Sequence, residues 1–218
     1  MGVLSFLGAA RRKTEAPQKQ ADVGYTPKAT VDTALERIEA RFGAQVASAG
    51  AQIREAFTWH RTGRKADAFA AFQNLLSDPN IVTDVKARVA LEGEIHGRLR
   101  MCYEREGCFS SALVEAGMTY ASRVKALAIE NREEALAQMR NPDFFDRYFK
   151  PLLERARLTH ASIKFRSIVE AQFKSLPMVD MQALHAALED FRLHPPQPPK
   201  RVVERVAGRL HISEIHGD

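Results

Sequence analysis

The sequence predicts an all-α fold, and three observations carry that expectation. Apolar residues recur at steps of three and four from Val31 to Phe191, as they do when one face of each helix is buried. No stretch alternates apolar and polar residues convincingly, so no strand is expected. Gly, Asp-Pro and Asn-Pro punctuate the periodic stretches at helix-sized intervals. With 218 residues, 45% of them hydrophobic, the chain can bury one sizeable core and still carry appendages. Two Cys cannot form the framework of a disulfide-stapled secreted fold. No apolar run approaches the roughly 18 residues of a membrane span.

Residues 1–29 read as a basic tail. Val3, Leu4, Phe6 and Leu7 make a short apolar run, followed by Arg11, Arg12 and Lys13. A signal peptide places its positive charge before the apolar stretch, the reverse of this order. Phe6 stands where a myristoylation signal needs Ser or Thr. The run is a candidate anchor for a membrane interface or a docking peptide for a partner. Residues 11–29 hold too few large apolar side chains to order themselves.

The helical domain spans residues 30–193. Val31, Leu35, Ile38, Phe42, Val46, Ile53 and Phe57 mark its first helical stretch, with a capping box at Thr33 and Glu36 and a bend at Gly43 or Gly50. Phe69, Phe72 and Leu76 follow, stopped by Asp78-Pro79-Asn80. Thr83 is placed to cap the helix that carries Val85, Val89, Ile95 and Leu99, which Gly107 stops. Ser110 is placed to cap the next, carrying Leu113, Ala116, Tyr120, Val124 and Leu127 and running to about Arg140 before Asn141-Pro142. An aromatic segment (Phe144, Phe145, Tyr148, Phe149) leads to Pro151, which suits the first turn of a helix bearing Leu158, Phe165, Val169, Phe173 and Leu176. Pro177 ends it, and Met181, Leu184, Leu188 and Phe191 mark the last helix of the domain.

Residues 194–200, His-Pro-Pro-Gln-Pro-Pro-Lys, form a stiff spacer. Beyond it, Val202, Val203, Val206 and Leu210 lie opposite Arg201, Arg205 and Arg209 on a helical projection. Residues 201–218 are therefore expected as a short basic amphipathic helix and tail that packs on this domain or on a partner.

Two stretches share a pattern of aromatic, three residues, Gly, four residues, Ala. They are Trp59 to Gly63 with Ala68, and Tyr103 to Gly107 with Ala112. The aromatic ends one helix, Gly takes the left-handed turn, and the small Ala lets the second helix pack closely. This resembles the tetratricopeptide repeat over about residues 49–125. Ala56, Trp59, Gly63, Ala68 and Phe72 fit the family pattern in the first unit, with Pro79 near the closing Pro. Tyr103, Gly107, Phe109 and Ala112 fit it in the second. Arg100 stands where the family has a small residue, Thr119 matches loosely, and the two Gly are 44 residues apart rather than 34. The resemblance implies a binding scaffold of helical hairpins. Its groove is expected near Gln52, Trp59, His96, Arg100 and Tyr103, on the first helices of the two hairpins.

The net charge of +5 lies mostly outside the predicted repeats. Residues 1–30 hold five Lys or Arg against two acids, whereas residues 31–140 hold fifteen of each. Two local stripes remain. Lys150, Arg157 and Lys164 lie seven apart on one helical line, with His160 alongside, and Arg201, Arg205 and Arg209 lie four apart on another. Either stripe has the charge to meet phosphates or acidic side chains; a solvated helix face is the alternative.

No motif supplies chemistry. None of the seven His completes a Glu-x-x-His or His-Glu-x-x-His pattern. Cys102 and Cys108 lack the second pair a zinc site needs, and no phosphate-binding Gly loop or G-x-S-x-G occurs. His211, Glu214, His216 and Asp218 cluster at a chain end, where metal ligands are rarely pre-organised. The expectation is a non-enzymatic cytoplasmic interaction module, an adaptor or assembly subunit with a protein partner, no cofactor, no metal and no small-molecule substrate. Two alternatives stand beside it: a nucleic-acid-associated accessory protein using the stripes and tail, and a peripheral membrane adaptor anchored by residues 3–13.

Overall fold

The computed structural model describes residues 28–140, 142–198, 200–206 and 209–215. Within them the chain runs α1 (Lys28–Phe42), α2 (Ala44–Arg61), α3 (Lys65–Ser77), α4 (Val85–Arg105), α5 (Phe109–Glu130), α6 (Arg132–Arg140), α7 (Pro142–Arg155), α8 (Ser162–Ala171) and α9 (Met181–Leu193). The body is all-α, as the periodicity predicts. The first helix starts at Lys28, so Thr33 lies inside it and is not its cap. The proposed anchor residues Val3, Leu4, Phe6 and Leu7 lie outside the described residues.

The break between α1 and α2 falls at Gly43, whose φ of 66° is left-handed and suits Gly. Gly50 lies inside α2, where a Cβ would collide with the Glu39 side chain of α1. Asp84, not Thr83, caps α4: its side chain accepts a bond from the Ala87 N–H at 2.8 Å. Cys108, not Ser110, precedes the first turn of α5. The helix expected to run on to Arg140 is broken at Asn131, which leaves helical φ/ψ and whose Oδ1 accepts from the Glu134 N–H at 3.2 Å, starting α6.

Pro151 does not open a helix. The aromatic segment is itself α7, and Pro151 sits within it. Arg157, with a φ of 60°, then turns the chain before a 3-10 turn at Thr159–Ala161 and α8. Asp180 caps α9 through bonds from the Gln182 and Ala183 N–H groups.

Two clusters make the interior. Leu35, Val46, Ile53, Phe57, Phe72, Leu75, Leu91, Ile95 and Leu99 fill the space among α1–α4. Leu113, Tyr120, Phe145, Phe149, Phe165, Phe173, Leu184, Leu188 and Phe191 fill the space among α5–α9. Tyr103 touches both. The α4–α5 hairpin joins them through small residues: a Cβ on Gly93 would come within 3.1 Å of Ser122 Cβ, and one on Gly97 within 3.9 Å of Thr119 Cγ2.

The C-terminal segment corrects the sequence reading. It forms an antiparallel pair, β1 (Lys200–Val206) and β2 (Arg209–Ile215), not a helix. Val202, Val203, Val206 and Ile212 supply β-branched residues that favour strands. Two residues separate the runs, one of them Gly208, the spacing of a tight hairpin. The helical stripe Arg201, Arg205, Arg209 is thereby divided. Arg201 pairs with Glu214 and Arg205 with Leu210 from β1, whereas Arg209 opens β2 opposite Val206. The other stripe is divided as well: Lys150 is in α7, Arg157 in the turn and Lys164 in α8. Both lines presumed one continuous helix.

Candidate functional site

The α2–α3 hairpin presents a cleft on its outer side. α2 buries Val46, Ala49, Ile53, Ala56, Phe57 and His60. At the same helical steps its other edge carries Gln52, Glu55 and Trp59. Gly63, with a φ of 94°, turns the chain. α3 then buries Ala68, Phe72 and Leu75 and presents Asp67, Ala70, Ala71 and Asn74 at its cleft edge, with Asp78 at the C-cap. The cleft between the two edges has a volume of about 530 Å³.

Its chemistry is that of a cation holder. The Arg64 guanidinium lies 4.4 Å from the centre of the Trp59 ring, and its Nε donates to Asp67 Oδ2 at 2.8 Å. Three carboxylates (Glu55, Asp67, Asp78) line the cleft against the one cation, Arg64. Asp78 accepts a bond from the Asn80 N–H at 2.8 Å. Neither Glu55 nor Asp78 has a basic partner among the described residues.

The structure separates the five residues expected to share a groove. Gln52 and Trp59 line the cleft. His96, Arg100 and Tyr103 sit on α4, which α1, α2, α3 and α5 surround. His96 is buried, with Nδ1 2.6 Å from Glu115 Oε2. Arg100 Nε lies 3.3 Å from Glu104 Oε1, and its guanidinium is 5.5 Å from the Tyr148 ring centre. Burial pushes the Glu104 carboxyl up, opposed by Arg100 and Arg155. The Tyr103 ring packs 4.9 Å from that of Phe69. Burial, reinforced by Glu115 and Glu189, pushes its phenol up.

The polar seam around α4 also contains residues the sequence did not single out. Arg98 is 1% exposed; its Nε donates to Glu94 Oε1 at 2.8 Å and its guanidinium lies 4.8 Å from the Phe57 ring centre. The Glu94 and Arg98 spacing of four was visible in the sequence, but such pairs usually lie on solvated faces. The signal that could have found them is Gly93 and Gly97, which bring α5 close over this part of α4. A second cavity of about 210 Å³ lies between α1 and the α4–α5 hairpin, lined by Ala34, Ile38, Val89, Gly93 and Ser122 among others.

At the turns of the two hairpins, Glu106 meets both His60 and Lys65. Lys65 Nζ donates to Glu106 Oε2 at 2.7 Å. His60 Nε2 is 3.1 Å from Glu106 Oε1, close but out of line for a hydrogen bond. Burial lowers the pKa of His60, partly opposed by Glu106, and the bond from Lys65 lowers that of Glu106.

Among the described residues, no group of three or more His, Cys, Asp or Glu could hold a metal ion, and no helix is long and apolar enough to cross a membrane. Compared with family models, curated proteins and solved structures, the chain matches none.

Proposed function

We propose that this chain is a non-enzymatic protein-interaction module of tetratricopeptide-like hairpins. It acts as an adaptor or assembly subunit in the cytoplasm and receives a protein partner at the α2–α3 cleft. The observation that carries this reading is Trp59, a half-buried aromatic at the edge of an open cleft. Partly exposed aromatic residues at the edge of a cleft are what interfaces use as anchors. The polar side chains of α4 are occupied within the fold: His96 with Glu115 of α5, Arg98 with Glu94, Arg100 with Glu104. That pairing suits a scaffold.

The test is affinity co-purification with the full chain and with Ala70→Arg, which places a long side chain in the cleft from an exposed position on α3. The expected result is a protein partner recovered by the wild type and lost by the variant, with unchanged far-UV circular dichroism. The same partners recovered by both would overturn the reading.

A further inference from the structure

We infer that the α2–α3 cleft takes an extended partner segment bearing basic side chains, arginine above all. This rests on the reading of the cleft as the docking face and names the chemistry that the face selects. The first argument is charge. Residues 31–140 are neutral overall, yet the cleft gathers three carboxylates against one cation, and that cation is consumed by Asp67. Such a surface favours a cationic segment and disfavours an anionic one, including a phosphate backbone.

The second argument is independent of the charge count. Arg64 already occupies a holder in which an indole face and a carboxylate grip one guanidinium. A partner arginine can use the same two groups by displacing Arg64, or use Glu55, one helical turn before Trp59 on the same edge of α2. Between the acids the lining is Ala70, Ala71 and Asn74 over the buried Leu75, mostly small, so a partner backbone can approach closely.

The third argument is length. Asp67 and Asp78 are eleven residues apart, or about 16 Å along the helix. An extended chain covers that in about five residues at roughly 3.3 Å each. Because side chains of an extended chain alternate between faces, the segment that fits carries basic side chains roughly four or six positions apart, both facing the cleft, with small or apolar residues between them.

Trp59 is the chain's one tryptophan, so its fluorescence reports on this cleft alone. The probe is a capped synthetic peptide with two arginines roughly four positions apart over an Ala/Leu spacer, so that both side chains share one face, titrated into the full chain. The expected result is a saturable change in Trp59 emission that weakens as salt rises. Glu55→Gln combined with Asp78→Asn should reduce affinity about tenfold, and a peptide with Glu in place of Arg should give no change.

No response to the basic peptide, an equal response to the acidic one, or unaltered affinity in the double variant would each overturn the proposal. So would a change in emission without added peptide when Arg11, Arg12 and Lys13 are all replaced by Glu, because the occupant would then be the chain's own tail. If Ala70→Arg still abolishes partner recovery while the basic peptide is silent, the docking reading stands and only this inference falls.

Discussion

Around α1–α4 the buried side chains are mostly aliphatic, whereas around α5–α9 rings pack on rings. Phe149 alone lies 4.6 Å from Phe145, 5.1 Å from Phe165, 5.1 Å from Tyr148 and 5.5 Å from Tyr120, centre to centre. Burial raises the Tyr120 hydroxyl to about 12, consistent with its role as a core side chain. The α1–α4 half interleaves its aliphatic core with charge: His60, Glu94, His96 and Arg98 are all buried there, and both cavities described above border these helices. Rings packed on rings fill the interior of one half. The other half combines smaller side chains with polar pairs and carries the α2–α3 cleft.

The largest effect should come from removing the central ring. Phe149→Ala should cost about 3–5 kcal/mol, from lost burial and the cavity it leaves. Ile53→Val, equally buried in the aliphatic half, should cost only about 0.5–1.5 kcal/mol. Urea unfolding of both variants checks the two magnitudes. Next in size is Arg98→Met, which leaves the Glu94 carboxylate buried without this cation and should cost about 3 kcal/mol or more. Adding Glu94→Gln should recover a good part of that loss.

The glycines sharpen the comparison with a single substitution made twice. A Cβ on Gly117 would lie 2.7 Å from Leu188 Cδ1 in the aromatic half, so Gly117→Ala should cost about 1–3 kcal/mol. A Cβ on Gly50 would meet the Glu39 side chain first, a flexible side chain that is partly exposed and can shift from its 2.8 Å partner Arg54. Gly50→Ala should change stability by less than about 1 kcal/mol, since helix propensity offsets the lost surface pair.

Smaller still is a pH effect confined to the polar half. Burial holds the pKa of His60 below its ordinary 6.5, so the unfolded chain takes the proton first. This group's contribution is complete above 6.5 and is lost as pH falls from there through the folded value. The lowered Glu106 acts in the same direction but only below 4.5. His60→Gln should therefore flatten the decline in urea midpoint between about pH 7 and about pH 5. The two thiols give the mildest test. Cys108 is exposed, whereas Cys102 is buried and its thiol is pushed up to about 12. A thiol reagent should label one cysteine in the native protein and both in urea.

Most of the helical body was legible in the sequence because a helix that buries one face must repeat apolar residues near every 3.6 positions. The stops at Gly43, Gly63 and Gly107 were legible because each takes a positive φ. What escaped was whatever that period does not encode. The apolar pattern runs on through Leu127 and Ala135, so nothing but a single Asn marks the break at 131. Val202, Val203, Val206 and Leu210 satisfy a helical projection and a pair of short strands alike. Only the register of both strands decides between them.

Part of the candidate site was legible: Gln52 and Trp59, two of the five residues expected at the groove, line the cleft. The resemblance places His96, Arg100 and Tyr103 in the groove because it puts the groove on the first helices of the hairpins. On α4 those positions meet other helices and pair there. The acids on α3 were hidden in a region whose net charge is zero, because a sum over residues says nothing about where they gather.

One further consequence attaches to the hairpin of α4 and α5. α4 supplies Leu91, Ile95 and Leu99 to the aliphatic cluster, while α5 supplies Leu113 and Tyr120 to the aromatic one. Each cluster thus uses one arm of the same hairpin as its wall, and neither can melt without stripping the other's support. Heated in a calorimeter, the two chemically distinct cores should lose their structure in a single cooperative transition, with calorimetric and van't Hoff enthalpies in agreement.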